Sequence, residues 1–366
     1  MVEMPSTNRR LTALSLAVAT LAGSFAPASL VAQGIKSGDY IAKNFKFETG
    51  DVLPELRLHY LTLGQPRRDS AGVVRNAVMV LHGTGGSGNG FMSRTFAGEL
   101  FGPGDILDTS KYYIVLPDGI GHGKSSKPSD GLRTKFPKYT YDDMVDAQHE
   151  LLTKGLGVNH LRLVMGTSMG CMHSWVWGER YPNFVDGLVP LACAPTQIAG
   201  RNRMIRTMIM DFIRDDPGYF GGEYSVQPAG LRHAMGMLFI MTSAPKVQQR
   251  EAPTRDKADS VIRAYLNRTT ESRDANDVIY QFDASRDYDP STALEKITAH
   301  VLAINSADDF VNPPELGLIE HLIPRVKNAK FILLPITEQT RGHGTHSLPA
   351  IWKRYLADFL KDLPQQ

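Results

Sequence analysis

Gly166-Thr167-Ser168-Met169-Gly170 joins a short apolar run, Leu161 to Met165, to a stretch of helical pattern, and it puts a serine at the tip of a sharp bend. A serine hydroxyl is a weak nucleophile at neutral pH. To attack a carbonyl carbon it needs a base within hydrogen-bond reach and an acid that orients the base. The flanking glycines suit that role, because a strand bending at once into a helix leaves no room for side chains on either side of the nucleophile. Gly-x-Ser-x-Gly also arises by chance in a chain with 33 glycines, so the partners must be found elsewhere in the sequence.

Two later loops offer them. His300 to Ile304 is an apolar run that empties into Asn305-Ser306-Ala307-Asp308-Asp309-Phe310-Val311-Asn312-Pro313-Pro314. One of the two aspartates is the expected orienter, and the placing of Pro313 favours Asp309 over Asp308. Phe331 to Leu334 precedes Thr340-Arg341-Gly342-His343-Gly344-Thr345-His346, and a closing helix is expected from about Leu348 to Leu360. A histidine on the loop after the last strand is where the base belongs. His343, preceded by glycine, is favoured; His346 reads as starting that helix or packing beneath it. The order Ser, Asp, His is the one α/β-hydrolases use. The charge developing on an attacked carbonyl also needs fixed donors. Ala77 to Leu81 ends in His82-Gly83-Thr84-Gly85-Gly86-Ser87-Gly88, and the backbone amides of Thr84 and Met169 are the expected oxyanion hole. Phosphate cradling, the rival use of a glycine-rich loop, requires a Gly-Lys-Ser/Thr or dinucleotide spacing that does not follow here.

The elements that must position these residues are apolar runs alternating with helical patterns. Leu53 to Leu63 alternates in part like antiparallel edge strands, Tyr112 to Leu116 is another apolar strand, and Asp143 to Lys154 has helical periodicity. Such alternation implies a mostly parallel sheet flanked by helices, with chemistry at the carboxyl ends of the strands. From 196 to 287 the alternation gives way to helical segments containing Met204, Met208, Met210, Met235, Met237 and Met241. The expected organisation is a core over 33–195 and 288–366 with a helical lid inserted at 196–287. Most of these methionines read individually as helix core, yet flexible thioethers also suit an adaptable apolar pocket wall and an uncharged acyl partner.

The chain has 366 residues, 42% hydrophobic and 21% charged, with 40 basic and 38 acidic residues well mixed and a net charge of +2. No dense basic block suggests a nucleic-acid surface. Arg9 and Arg10 precede an apolar stretch from Leu11 to about Ala28, followed by small residues at Ala26-Pro27-Ala28 and Leu30-Val31-Ala32. This reads as a signal peptide over residues 1–32, cleaved between about 28 and 33, with no membrane attachment after removal. A periplasmic or secreted protein is expected, by either the general or the twin-arginine route. Cys171 and Cys193 are expected to be neighbours, but as buried free thiols, because helix and strand positions rarely meet disulfide geometry. No Cys/His spacing resembles a zinc site, and neither metal nor cofactor is expected.

Tyr141-Asp142-Asp143-Met144-Val145-Asp146-Ala147-Gln148, the elbow at Ser168, Asp216-Pro217-Gly218-Tyr219-Phe220-Gly221-Gly222-Glu223-Tyr224, Phe282-Asp283-Ala284 and Asp309 with its trailing prolines together resemble the homoserine O-acetyltransferase family. The resemblance runs from about Leu53 to the C-terminus. It implies an α/β-hydrolase fold with a helical lid, a triad of Ser168, Asp309 and His343, substrate contacts near Met210 and Tyr219, and a homodimer. Two contacts of that family to homoserine are absent by sequence. Met210 stands where an arginine would hold the carboxylate, and Gly344 where an aspartate would meet the amine. Cys171 also replaces a glycine of that family, and the loop at His82 reads as in general hydrolases. The expected activity is therefore that of a serine hydrolase on a small-molecule carboxylic ester, thioester, lactone or amide. The alternative is an O-acyltransferase that uses the same acyl-enzyme with a non-homoserine acceptor. A non-catalytic binder on a retired scaffold is the third class, and such proteins usually lose a triad member.

Overall fold

The computed structural model describes Met1 and residues 34–364; the leader read over residues 1–32 otherwise lies outside the described residues. The apolar runs become strands of one sheet: β1 (Lys36–Lys46), β2 (Val52–Leu63), β3 (Ala77–Leu81), β4 (Tyr113–Pro117), β5 (Leu161–Thr167), β6 (Val185–Leu191), β7 (His300–Ser306) and β8 (Ala329–Leu334). Their order is β1-β2-β4-β3-β5-β6-β7-β8. β1 and β2 pair antiparallel, as do β2 and β4, and every pairing from β4 to β8 is parallel. Strands covered on both faces have no use for alternation, which is why β3 and β4 are buried at every position and read as continuous apolar runs. β5 and β6 depart from that only at Arg162 and Asp186, which pair with each other across the strands at 3.1 Å.

Successive side chains still divide between two layers. Met79 belongs to a core cluster with Met144, Trp175 and Trp177, whereas Val78 and Val80 pack with Phe96, Phe101 and Trp352 on the other face. The first layer is covered by α2 (Tyr141–Glu150) and α3 (Met169–Arg180), the second by α1 (Ala97–Leu100) and the closing helix α10 (Pro349–Asp362). α2 begins where the chain signals it: Thr140 accepts from the Asp143 amide while the Asp143 carboxylate accepts from the Thr140 amide, satisfying two donors that a helix start otherwise leaves open.

Between β6 and β7 the chain forms α4 (Gly200–Arg214), α5 (Ala229–Thr242), α6 (Pro245–Glu251), α7 (Arg255–Glu271) and α8 (Ala275–Asp283); α9 (Leu318–Leu322) follows β7. α4, α5 and α8 enclose a third apolar cluster of their own, with Ile209, Ile213, Leu231, Met235 and Val278 at its centre. The expectation of free thiols is overturned. Cys171 and Cys193 form a disulfide, with Cα atoms 5.9 Å apart. The first turn of α3 and the chain just past β6 come within bridging range, which a rule of thumb about isolated helices and strands does not anticipate.

Candidate active site

Ser168 lies between β5 and α3 with φ 53° and ψ −109°, a conformation that costs a non-glycine residue energy and persists only when its surroundings enforce it. Its amide donates to the Leu191 carbonyl at 2.9 Å, tying the bend to β6. The glycines around it leave no room for substitution. A Cβ on Gly166 would come within 1.9 Å of the Gly170 carbonyl oxygen, and one on Gly170 within 2.1 Å of the Leu81 carbonyl oxygen. Helix and strand are thus in backbone contact, and the serine is the side chain that escapes into the cleft.

His343 Nε2 stands 2.8 Å from Ser168 Oγ, and His343 Nδ1 stands 2.8 Å from Asp309 Oδ2. Asp309 Oδ1 accepts the Val311 amide at 2.8 Å, and Oδ2 also accepts Asn312 Nδ2 at 3.1 Å. Burial by itself would raise this carboxyl, but the His343 ring and the donated hydrogen bonds outweigh it and hold it below its ordinary value. A carboxylate held ionised there fixes the proton on Nδ1 and leaves Nε2 free to accept from the serine.

Asp308 does different work. Its Oδ2 accepts the Gly342 amide at 3.0 Å, where Gly342 takes φ 60° to turn the chain into His343. His346 packs edge-on against the His343 ring at 5.1 Å, and its imidazole is lowered to about 3, chiefly by desolvation and then by His343. It bonds Ser347 rather than Ser168 or Asp309.

The loop after β3 closes over the serine. Gly119 donates its amide to His82 Nε2 at 3.0 Å, so the His82 proton sits on Nδ1 and is donated to the Gly83 carbonyl at 2.9 Å. Asp118 Oδ1 holds the far end of the loop by the Gly88 amide at 2.7 Å. Thr84 lines a cavity with Ser168, and Met169 is the first residue of α3, where a helix leaves its amide without an intrahelical acceptor.

Two cavities meet at Ser168. One, of about 540 Å³, is walled by Ile198, Pro313, Leu316, Leu318 and Phe331 among others. The other, of about 470 Å³, lies between the His82–Ser87 loop and the helices inserted between β6 and β7. Arg206, Ser168 and His343 border both. Met210 and Tyr219 border neither. Both pack in the apolar cluster that α4, α5 and α8 enclose, and the Tyr219 hydroxyl is spent on Asn276 Oδ1 at 2.8 Å. The side chain of α4 that borders both cavities is Arg206, one helical turn earlier on the same face as Met210. An ungapped register could not find it; looking for a cation one turn away on the same face could have.

A family model described as "alpha/beta hydrolase fold" matches residues 76–326. The chain belongs to the α/β-hydrolase fold family. Among relatives of this α/β-hydrolase, a "Probable acyltransferase" of Methanothermobacter thermautotrophicus is 30% identical over 292 residues, spanning 79% of this chain and 88% of the relative. A "Homoserine O-acetyltransferase" of Haloarcula marismortui is 29% identical over 309 residues, 73% of this chain and 75% of its own. Among solved structures, an acetylester hydrolase from Corynebacterium glutamicum superposes with a TM-score of 0.76 at 22% identity, covering 93% of this chain and 98% of that one. The α/β-hydrolase is thus an enzyme of esterase-like type that resembles homoserine O-acetyltransferases, and acyl transfer is possible on the same framework.

Proposed function

We propose that the protein is an exported serine hydrolase that cleaves a carboxylic ester through an acyl-enzyme, and that Ser168, His343 and Asp309 are its triad. The observation that carries this reading is the unbroken chain from Ser168 Oγ through both ring nitrogens of His343 to Asp309, each link 2.8 Å. Ser168 attacks the carbonyl while its proton passes to His343 Nε2. The charge on the former carbonyl oxygen falls to the amides of Thr84 and Met169. Collapse expels the alcohol, which takes the proton from Nε2. Water then gives a proton to the same nitrogen as it attacks the acyl group, and Ser168 leaves as the free hydroxyl. Thioesters, lactones and amides follow the same steps with a different leaving group.

Replacing Ser168 by Ala is expected to abolish hydrolysis of nitrophenyl esters and labelling by a fluorophosphonate, with the melting temperature little changed. Unchanged turnover in that variant rules the reading out. Export is supported by the Cys171–Cys193 bridge, since disulfides persist mainly in oxidising compartments.

Acyl transfer to a non-homoserine acceptor is the second reading, favoured by the two cavities that flank Ser168, one for each side of the scissile bond. Product analysis with acetyl-CoA and hydroxylated acceptors separates the two. An acetylated product formed faster than free acetate favours transfer; acetate alone favours hydrolysis.

A further inference from the structure

Two guanidinium groups border the 470 Å³ cavity beside Ser168, and no carboxylate among the described residues bonds either. Arg206 is 3% exposed; its Nε donates to Asn202 Oδ1 at 2.9 Å and its Nη1 to Ser285 Oγ at 3.1 Å, both neutral acceptors. Arg273, in the link between α7 and α8, has no hydrogen bond or ion pair among the described residues. Its head lies against the loop that follows β3: a Cβ on Gly85 would be 2.0 Å from Arg273 Nη1. Both arginines border the 470 Å³ cavity with Ser168 and His343, and among the described residues no Asp or Glu borders it. The Thr84 hydroxyl, on the same wall, is buried with no hydrogen-bond partner among the described residues. Burial works against the Arg273 cation and lowers it from its ordinary value, and Tyr265 beside it offsets only part of that cost.

A planar guanidinium with free donors matches the paired oxygens of a carboxylate or phosphate, and partial burial of the donors strengthens that match. We propose that this cavity binds an anionic group, carboxylate or phosphate, carried by the ester substrate beside its scissile bond, with Arg273 and Arg206 as its holders. The inference rests on the ester reading above and names the substrate class for it. It also replaces the expectation of an uncharged acyl partner drawn from the lid methionines. Of those six, only Met241 borders either cavity, while Met210 and Met235 fill the lid core and Met204 is 65% exposed.

The test compares matched esters by acid release: ethyl hydrogen succinate against ethyl butyrate for an anion on the acyl side, 3-acetoxypropanoate against propyl acetate for one on the alcohol side, and 2-acetoxyethyl phosphate to distinguish phosphate from carboxylate. The wild-type protein is expected to favour at least one anionic ester over its neutral match by tenfold or more in kcat/KM. Arg273→Gln should cut that preference at least tenfold, mainly through KM, and Arg273→Lys should restore part of it. Arg206→Gln is expected to act likewise; if it fails to fold, the Arg273 pair decides. Equal or greater turnover of the neutral esters by wild type, or a preference that survives Arg273→Gln, overturns the proposal. A binding arm separates this from failure of the ester reading. Glutarate or inorganic phosphate should raise the melting temperature of wild type and of Ser168→Ala but not of Arg273→Gln, whether or not any ester is turned over. No such difference with either anion counts against the site.

Discussion

Asp308 and Asp309 are neighbours in sequence with unequal burdens, and their substitution should separate them. Asp309→Asn leaves the shape of the site but loses the charge that fixes the His343 proton on Nδ1, so kcat is expected to fall on the order of 10⁴-fold. Asp308→Asn weakens one hydrogen bond to the Gly342 amide, and a loss of about 1 kcal/mol at that turn corresponds to a roughly fivefold to tenfold fall in kcat. Steady-state kinetics on an aryl ester checks both, and comparable losses in the two variants would contradict the assignment of roles. Ser168, Asp309 and His343 were legible in the sequence because each sits on a loop just beyond a strand, where an apolar run stops and a chemical residue follows. Arg206 and Arg273 were not. A buried cation without an acid is invisible until the elements around it are packed, and linear matching pointed to Met210, one turn too far along α4.

The elements carry their own constraints, most tightly where α3 leaves β5. Gly166→Ala must move either the Gly170 carbonyl or the strand, so it is expected to cost about 3 kcal/mol or more in urea unfolding, with activity lost alongside. On the last turn of α3, Glu179 is pushed up to about 8, first by burial and then by Asp142. Its ordinary value is 4.5, so the folded chain binds that proton more tightly than the unfolded chain does. The resulting stability is fully present below pH 4.5 and is lost as pH rises through about 8. Glu179→Gln keeps a neutral side chain at every pH. It should therefore match wild type near pH 4.5 and exceed it by about 2 kcal/mol at pH 9, and an equal difference at both pH values would exclude this origin. Strand positions at β3, β4, β5, β7 and β8 could be read from apolar runs, whereas β1 could not. Its pattern is largely exposed, and only its ladder to β2 makes it a strand. Sheet order depends on crossovers that no local pattern records.

For the whole molecule, the Cys171–Cys193 bridge closes a loop with a sequence separation of 22 between the helix that follows Ser168 and the chain beyond β6. A loop of that length restricts the unfolded chain enough to contribute about 3 kcal/mol, provided the bridge forms in the cell. The proposed export and the disulfide, which the sequence reading did not expect, therefore belong together, because a chain kept in a reducing cytosol would carry two thiols and lose that increment. Protein recovered from the periplasm or medium should show no free thiol, a mature N-terminus between about residues 29 and 33, and a midpoint for urea unfolding that falls on reduction. Since Cys193 also lines the larger cavity beside Ser168, reduction should loosen that wall and raise KM for esters with bulky groups more than for acetates. A chain that retains its leader and two free thiols while keeping full activity and stability would mean that neither export nor the bridge belongs to the working enzyme, and the triad would then have to be understood as that of a cytosolic hydrolase.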